Sequence, residues 1–491
     1  MARRASGRRL AIRPPPWGET RAALGRAIVP VVAGAAIWSI PAPAGLAPKA
    51  WSYFALFVTV ILALITEPIP GPVIGIIGVT AATALLLVAP TPTEAARWAL
   101  SGFSHGTVWL IFVAFTFGLG YEKTGLGRRI ALGLVRWLGG RTLGLGYAVA
   151  LADLLLAPFI PSNTARSGGT IFPIIRGIPA LYGSLPGGTA NRIGAYLMWT
   201  AFAASSVTSS MFLTANAANL FAVSLLRETA GISVGWVEWA VGFLPVGVLL
   251  FVSLPALAYV ICAPGVKSSA VVPRWAGQEL ARMGPVTRRE LTMALIAVLA
   301  LGLWIFGDRW LNATTVALIA FSLMLLTGVV EWTDVLADRE AWRVLVWFAT
   351  LITLADGLSR VGFLKWFADG IATTLSGVPL AMMMPLFVGA FFVAHYMFAS
   401  LTAHATALLP VFLAAGTAIP GVRERPLALA LCYAVGLMGV LTPYATGPAP
   451  IFFGSGYIGR GAFWALGSIF GAIFLLVLLA VGVPYLLAVS G

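Results

Sequence analysis

The sequence predicts an all-α polytopic membrane protein. Hydrophobic residues make up 59% of the 491 residues and charged residues only 10%, whereas soluble domains carry about 25% charged residues. The mean hydropathy is +0.94, and apolar runs of about 17–25 residues, long enough to cross a bilayer as a helix, recur along the chain. Proline and glycine interrupt these runs at matching places in the two halves. Together these observations predict about 11 transmembrane helices in two inverted repeats, each with a re-entrant hairpin and a broken helix.

The N-terminal segment predicts the orientation of the chain. Seven arginines occur in the first 26 residues, which is typical of a cytoplasmic segment in a multi-pass protein of the bacterial inner membrane. No small-residue cleavage site follows the first apolar run, so a cleavable signal peptide is not expected. We therefore assign residues 1–27 to a basic cytoplasmic segment and residues 28–50 to a leading helix and linker. Nucleic-acid binding by the arginines is the disfavoured alternative.

An internal repeat follows the leading helix. Matching residues lie 237 or 238 positions apart: Ser162 and Ser400, Thr164 and Thr402, Ala165 and Ala403, Pro173 and Pro410. We therefore expect a first repeat at 51–263, a cytoplasmic linker at 264–290 and a second repeat at 291–491. Five crossings in each repeat would invert the second repeat relative to the first and return the basic linker to the cytoplasm.

Each repeat is expected to contain one re-entrant hairpin, at 143–175 and 379–411. Prolines interrupt both segments, and proline removes a backbone donor. Broken backbone at membrane depth is tolerated only where protein or a water-filled cavity satisfies it. Broken helices are expected at 195–226 and 426–452, where polar and proline-rich runs interrupt the apolar sequence. A kinked ordinary helix remains the alternative for each hairpin.

The hairpin tips and helix breaks predict a binding site for a small anion. The N-terminus of a half-helix presents free N–H groups and a positive dipole end. Two such ends favour a ligand with two anionic groups, such as a dicarboxylate. The candidate substrate-binding residues are Ser162, Asn163, Thr164, Arg166, Thr214, Asn216, Asn219, Ser400, Thr402, His404, Thr442 and Pro443. The two cysteines, Cys262 and Cys432, lack metal-ligand spacing, and neither a metal nor a cofactor is expected.

Arg166 and His404 occupy matching positions in the two hairpins. An intramembrane charge costs at least about 2.5–3.5 kcal/mol and usually marks function. We therefore interpret both residues as fixed counter-charges for the substrate. Arg166 could instead extend to lipid headgroups, and His404 could be a hydrogen-bonded core histidine. Asp153 and Asp356, also in apolar runs, are expected to pair with nearby basic residues.

Three stretches resemble the divalent anion/sodium symporter superfamily: "PSNTAR", "AHYMFASLTAHATALLPVF" and "MGVLTPYATGPAPIFFGSGY". The likeness is greatest to its branch of citrate/succinate-type antiporters, which is similar to the plastid 2-oxoglutarate/malate translocator. The resemblance implies a homodimer with a scaffold domain and a transport domain that moves like an elevator. It also implies that a Ser-Asn-Thr motif in each hairpin contacts the substrate carboxylate and, in coupled members, helps to bind sodium.

The second motif departs from that pattern, because Leu401 stands where the family has asparagine. Leucine offers no oxygen to a hard cation, and "LTANAAN" after the first hairpin also departs from the family signature. We therefore predict sodium-independent exchange of small di- or tricarboxylates of the succinate, malate, 2-oxoglutarate, tartrate and citrate class. A sodium- or proton-coupled symporter of the same fold is the alternative, and a membrane enzyme or a channel is less favoured.

Overall fold

The structure, a computed structural model, describes residues 17–489 except residues 269, 308 and 376. Residues 1–16 of the predicted basic segment lie outside the described residues. Within the described part, seven helical stretches are long and apolar enough to cross a membrane, and five shorter apolar helices accompany them. Every regular element of the described chain is a helix. These findings confirm the predicted class, an all-α polytopic membrane protein.

The helices follow one another in two similar series. The first series is α1 (Trp17–Ser39), α2 (Pro48–Thr66), α3 (Gly71–Ala84), α4 (Pro92–Ser101), α5 (Gly106–Thr124), α6 (Leu126–Leu138), α7 (Thr142–Leu156), α8 (Phe172–Ile175), α9 (Gly194–Met211), α10 (Ala217–Ala230) and α11 (Trp236–Ile261). The second is α12 (Val271–Met283), α13 (Arg288–Phe306), α14 (Ala313–Leu326), α15 (Trp332–Ala337), α16 (Arg339–Arg360), α17 (Phe363–Thr374), α18 (Leu380–Ala394), α19 (Leu401–Thr417), α20 (Glu424–Leu437), α21 (Pro448–Gly454), α22 (Arg460–Val477) and α23 (Val483–Val489).

The order of helices α2 to α11 recurs in α13 to α22. Helices α7 and α18 begin 238 residues apart, and α10 and α21 begin 231 residues apart. Helices α6 and α17 both begin directly after a glycine in left-handed backbone conformation, Gly125 (φ 78°) and Gly362 (φ 81°). Glycine adopts this conformation without the steric cost that a Cβ brings. The spacing of helix starts and the glycine turns therefore repeat together.

Both halves contain a helix that is interrupted in the middle. Helix α9 ends at Met211 and α10 begins at Ala217, so residues 212–216 form break 1. Helix α20 ends at Leu437, and break 2 spans residues 438–447 before α21. Each break ends the backbone hydrogen-bond ladder of its helix, so the exposed backbone groups need partners elsewhere.

The two halves interlock through these interrupted helices. Helix α10 of the first half packs against α19, which is the second arm of the hairpin in the second half. Helix α21 packs against the π-helical segment Thr164–Ile171, which is the corresponding arm in the first half. Helix α9 is buried along nearly its whole length against α7, α11 and α20. This exchange of partners brings both hairpin tips to the same buried core as both breaks.

The linker between the halves is fastened to the first hairpin. The Thr142 amide, at the start of α7, donates to the Lys267 carbonyl (2.9 Å), and the Thr142 hydroxyl donates to the Val266 carbonyl (2.7 Å). Helix α12 then packs along α6. Arg129 of α6 donates from Nε to the buried Glu290 at the start of α13 (2.7 Å). The linker, α6 and the start of the first hairpin therefore lie at one end of the molecule, whereas the hairpin tip lies in the core.

Candidate functional site

The two hairpin tips are capped in the same way. The Ser162 hydroxyl accepts a hydrogen bond from the Ala165 amide (3.2 Å), and the Ser400 hydroxyl accepts one from the Ala403 amide (3.3 Å). A serine at this position satisfies one of the free N–H groups of the helix end and leaves the others available. Both predicted serines therefore shape the start of a half-helix.

The first hairpin tip is joined to both helix breaks. Asn163 donates from Nδ2 to the Thr446 hydroxyl in break 2 (2.8 Å). The Pro161 carbonyl accepts from the Ala217 amide at the end of break 1 (2.7 Å). Thr164 lies against Gly447, where an added Cβ would come within 1.8 Å of the Thr164 hydroxyl oxygen. The predicted Ser-Asn-Thr motif and the two breaks thus meet in one place.

The helix breaks use some of the predicted ligands for their own backbone. Thr214 donates to the Pro158 carbonyl (2.6 Å), and Asn219 donates from Nδ2 to the Ser209 carbonyl (2.6 Å). Their donors face a carbonyl of the first hairpin and a carbonyl at the end of α9, so their contact with a substrate stays a prediction. Asn216 caps α10 through its Oδ1 atom, and its Nδ2 has no hydrogen-bond partner among the described residues. Thr442 likewise accepts from the Tyr444 amide in break 2 (3.3 Å).

A cavity of about 690 Å³ opens beside the first hairpin tip. Ser162, Thr164 and Ala165 line it on one side, and α5, α15 and the start of α16 line the other. A second cavity of about 470 Å³ shares Glu122 and Thr170 with it and reaches α12. The cavity therefore lies at the end of the molecule that carries the linker. The predicted residues outside its lining are Asn163, Arg166, Thr214, Asn216, Asn219, Ser400, Thr402, His404, Thr442 and Pro443.

The wall opposite the hairpin is mostly acidic. It carries Glu122, Asp334, Asp338 and Glu340, with Arg339 as its cation. Lys123 hydrogen-bonds to Asp334 and holds the pKa of that carboxyl below its ordinary value. Asp334 therefore stays ionised at neutral pH, and the groups that attract an anion lie on the hairpin side of the cavity.

Arg166 is fully buried, and all five of its guanidinium N–H groups have partners. Nε donates to Asp153 (3.1 Å), and the oxygens around Nη1 and Nη2 are the carbonyls of Ile160 (2.9 Å) and Ala215 (2.6 Å) and the hydroxyls of Thr208 (3.4 Å) and Ser209 (3.0 Å). A guanidinium has five donors and no acceptor, so none is left for a substrate. The predicted contact between the Arg166 counter-charge and the substrate therefore stays a prediction, and in this geometry the guanidinium faces protein groups alone. Its burial excludes the alternative that Arg166 reaches lipid headgroups.

His404 occupies the equivalent position in the second hairpin but has different surroundings. Its ring meets the Phe391 ring edge to face, with centroids 4.4 Å apart, and lies 5.1 Å from the His395 ring. Phe391 is 238 positions after Asp153, just as His404 is 238 positions after Arg166. The ion pair of the first hairpin is therefore replaced by an aromatic pair in the second. His404 is fully buried, and neither ring nitrogen has a partner among the described residues.

Comparison with known proteins identifies the family. The model of the family described as "Sodium:sulfate symporter transmembrane region" matches residues 21–489. The chain belongs to this family. It is 47% identical over 472 residues to a citrate/succinate antiporter of Escherichia coli K12, covering 94% of this chain and 97% of that one. It is 45% identical over 474 residues to an L-tartrate/succinate antiporter of the same strain, with the same coverage. The resemblance inferred from the motifs is thereby confirmed.

A solved structure supports the fold. The YdaH transporter of Alcanivorax borkumensis aligns with a TM-score of 0.52 at 18% sequence identity, over 89% of this chain and 98% of that one. At this identity the likeness concerns the fold alone. The solved structure therefore supports the overall arrangement of the helices and says nothing about the chemistry of the site.

The second hairpin tip carries Leu401 where the resemblance leads us to expect asparagine. Leu401 is buried at the start of α19, directly after the Ser400 cap. In the first hairpin the corresponding Asn163 bridges to Thr446, whereas leucine has no polar atom for such a bridge. The second tip is therefore held by its serine cap and by His395, whose Nε2 lies 2.9 Å from the Ala445 carbonyl.

Sequence reasoning missed several groups that complete the site. The hydroxyls of Thr208 and Ser209 surround Arg166, although only the polar run that contains them was recognisable in the sequence. Asp153 pairs with Arg166 and Asp356 with Arg360 (2.6 Å), as expected for acids in apolar runs. The acidic wall of the cavity comes from short helices far away in the sequence, and no local pattern signals it.

Replacing Asp153 by phenylalanine should strongly destabilise the protein. Breaking a buried pair by removing one partner costs about 3–5 kcal/mol, because the other charge is left uncompensated. Adding Arg166→His should recover part of the loss, since the double variant reproduces the Phe391–His404 pair. Thermal unfolding in detergent of both single variants and the double variant gives the coupling energy. Simple addition of the two single effects would contradict the equivalence of the pairs.

Replacing Gly447 by alanine should displace Thr164. The new Cβ would lie 1.8 Å from the Thr164 hydroxyl oxygen and 3.1 Å from its Cβ, so the hairpin tip must move. We expect transport to fall by about tenfold or more, which corresponds to about 1.4 kcal/mol. Gly454→Ala is the matched control, because no atom lies within 4 Å of its added Cβ at the end of α21. Equal transport by the two variants would contradict the close contact.

Proposed function

We propose that this protein is a secondary transporter that exchanges small di- or tricarboxylates across the bacterial inner membrane without sodium. Two antiporters, at 47% and 45% identity over nearly their whole length, support this proposal. Their printed substrates are citrate, succinate and L-tartrate, so we expect this chain to carry acids of that class. A transporter rather than an enzyme is also what these relatives support.

The observation that carries the proposal is the oxygen cage around Arg166. A carboxylate, two backbone carbonyls and two hydroxyls surround the guanidinium. Such oxygens are the ligands that hard cations prefer in proteins. The side chain supplies the positive charge that a mobile sodium ion would supply in a coupled carrier. A sodium-coupled symporter of the same fold is therefore less supported.

We expect exchange to be obligatory because the empty site contains hydrogen-bond donors that have no partners. Because Asp153 compensates Arg166, an anion would be attracted by the free N–H groups of the half-helices and by side-chain amides rather than by a net charge. Burying such donors without partners is costly. A bound carboxylate satisfies them, so the loaded site crosses the membrane barrier more easily than the empty one.

The proposed substrate ligands are residues of the two hairpin tips and of the two breaks. We propose direct contact by the Ser-Asn-Thr motif of the first hairpin, by the tip of the second and by the breaks. These residues are Ser162, Asn163, Thr164, Asn216, Ser400, Thr402, Thr442 and Pro443. Arg166, Thr214 and Asn219 act instead by holding the hairpin and break 1 in position. His404 is proposed to act from behind the second tip as a fixed counter-charge when it is protonated.

The finer architecture belongs to the same proposal. We propose about 11 crossings in two inverted repeats, a cytoplasmic N-terminus and a homodimer. The hairpins and broken helices would form a mobile unit that moves like an elevator against the remaining helices. The repeated helix order supports the two repeats. The basic residues of the 264–290 linker support a cytoplasmic location for the end that carries the cavity.

Exchange should be measurable in liposomes preloaded with succinate. Uptake of labelled succinate, citrate or tartrate should require internal acid and should be the same in sodium and in choline buffer. Liposomes without internal acid, given an inward sodium gradient, are the control. Equal accumulation in those liposomes would show a sodium symporter instead. Competition among the three acids would then rank the substrates.

Arg166→Ala should convert sodium independence into partial sodium dependence. The vacated cage keeps Asp153 and four neutral oxygens, so a sodium ion can replace part of the lost charge. We expect sodium-free exchange to fall about tenfold or more, and sodium, but not choline, to restore part of it. Arg282→Ala, which removes an exposed arginine of α12, is the control. Unchanged exchange without sodium would contradict a built-in cation.

A further inference from the structure

An apolar groove opens between α17 and the two arms of the second hairpin. It has a volume of about 220 Å³, and every side chain that lines it is apolar. Its walls include Phe367 and Ile371 of α17, Phe387 and Ala390 of α18, and Val411 and Phe412 of α19. Ala390 is exposed, so this α17 groove opens on the outside of the protein.

The α17 groove is the second-half counterpart of the second cavity. Ile174 lines the second cavity, and Val411, 237 positions later, lines the groove. In the first half, α12 packs along α6, and its side chains Trp275 and Met283 line the second cavity. In the part of the second half that the structure describes, the lining comes from the α17, α18 and α19 segments alone. No described helix therefore takes the place of α12 over the groove.

The charges beside the two spaces differ in the same way. Arg128 of α6 donates from Nη2 to Glu279 of the covering helix α12 (2.8 Å). Lys365 occupies the matching position on α17, 237 residues later, and is exposed. It forms no ion pair with a described residue. By comparison with the first half, the occupant of the α17 groove should therefore carry an anionic group opposite Lys365.

Helix α17 lies at the depth of the lipid headgroups. The Trp366 indole donates from Nε1 to the Ala44 carbonyl (3.0 Å) in the loop between α1 and α2, and tryptophan is enriched at membrane surfaces. Asp369, one turn after Lys365, is exposed and lines a depression with Trp366. This depression shares two side chains of α17 with the groove. A charged surface and an apolar groove thus adjoin where headgroups meet acyl chains.

We infer that the α17 groove binds phosphatidylethanolamine, with one acyl chain in the groove and the headgroup at Lys365 and Asp369. Lipid tails are as apolar as the groove, so the chain gains van der Waals contacts there but no hydrophobic stabilisation. The headgroup must therefore supply the preference. Its phosphate matches Lys365 and its ammonium matches Asp369, because side chains at this helical spacing have Cβ atoms about 5–6 Å apart. The inference goes beyond the proposed exchange and requires only that the chain spans a membrane.

Photochemical labelling from within the bilayer tests this lipid site. The full-length protein is reconstituted in phosphatidylcholine liposomes that contain a small fraction of phosphatidylethanolamine or phosphatidylglycerol, each with the same diazirine-bearing acyl chain. Mass spectrometry after irradiation and digestion gives the labelled residues, and Val252, exposed on α11, reports contact with bulk lipid. The α17 groove should be labelled more strongly than Val252. It should also be labelled about two- to fivefold more by phosphatidylethanolamine than by phosphatidylglycerol, the size expected of an exposed ion pair.

Two variants with matched controls test the groove and the phosphate contact. Ala390→Phe fills the groove from an exposed position and should reduce its labelling by both probes to the level at Val252. Ala381→Phe, exposed on the same helix outside the groove, should have no such effect. Lys365→Gln should reduce groove labelling by both probes about two- to fivefold, because both carry a phosphate. Lys49→Gln, which alters an exposed lysine next to the loop between α1 and α2, should leave it unchanged.

Asp369→Asn tests the ammonium contact. Phosphatidylglycerol has no ammonium group, so this variant should lower groove labelling by phosphatidylethanolamine alone and make the two probes equal. Equal labelling by the two probes in the unmodified protein overturns the inference. A preference for phosphatidylethanolamine that persists in Asp369→Asn overturns it as well.

Groove labelling no stronger than at Val252 would show bulk lipid only and overturns the site. Unchanged labelling in a folded Ala390→Phe variant does the same. An equal loss in Lys49→Gln and Lys365→Gln also overturns it, since any basic residue at that surface would then suffice. Thermal unfolding in detergent shows whether each variant is folded. Lys365 and Asp369 are exposed, so their variants decide the outcome even where Ala390→Phe fails to fold.

Discussion

The buried guanidinium of Arg166 is the constraint on which the rest of the site depends. A charge at this depth is costly unless it is paired and hydrogen-bonded, and each of its five donors meets an oxygen. Those oxygens come from the first arm of the first hairpin and the residue before its tip, from α9 and from break 1, whereas Arg166 itself lies on the second arm. Moving any of these segments alone would leave a buried donor or carboxylate without a partner. The hairpin, α9 and break 1 therefore move or stay together.

The second hairpin reaches a similar backbone by different chemistry. Ser400 caps the second arm of this hairpin, and Ser162 caps the second arm of the first hairpin in the same way. However, Phe391 and His404 occupy the positions that Asp153 and Arg166 occupy in the first half. The two repeats therefore share the serine caps of their hairpins but differ in whether the buried pair behind each cap is charged. An ionic pair brings carbonyls and hydroxyls around it, whereas an aromatic pair requires none. This explains why, in the part of the chain that the structure describes, an oxygen-rich cage surrounds Arg166 but not His404.

Most of the fold and part of the candidate site could be predicted from sequence patterns that act locally. Apolar length, proline and serine caps act within one helical turn, so they predicted the helical class, the interrupted helices and the Ser162 and Ser400 caps. The partners of Arg166 could not be predicted in the same way, because Thr208 and Ser209 approach it only after α9 packs on α7. Thr214 and Asn219 bind the carbonyls of Pro158 and Ser209, and a sequence does not reveal which carbonyls a hairpin tip or a helix break leaves free. Those carbonyls require donors, and the nearest amide and hydroxyl supply them.

Polar groups at the first hairpin tip have hydrogen-bond partners in the protein, whereas several near the second tip have none. Around the first tip, Asn163, Arg166, Thr214 and the Pro161 carbonyl all have protein partners. Asn216 Nδ2, directly before α10, and both nitrogens of His404, in α19, have none among the described residues. Helices α10 and α19 pack against each other. In the proposed function, the first hairpin is thus preorganised before the anion arrives. Ligand binding then satisfies Asn216 Nδ2 and the free N–H groups of the second hairpin tip, and an empty carrier resists burying these donors without partners.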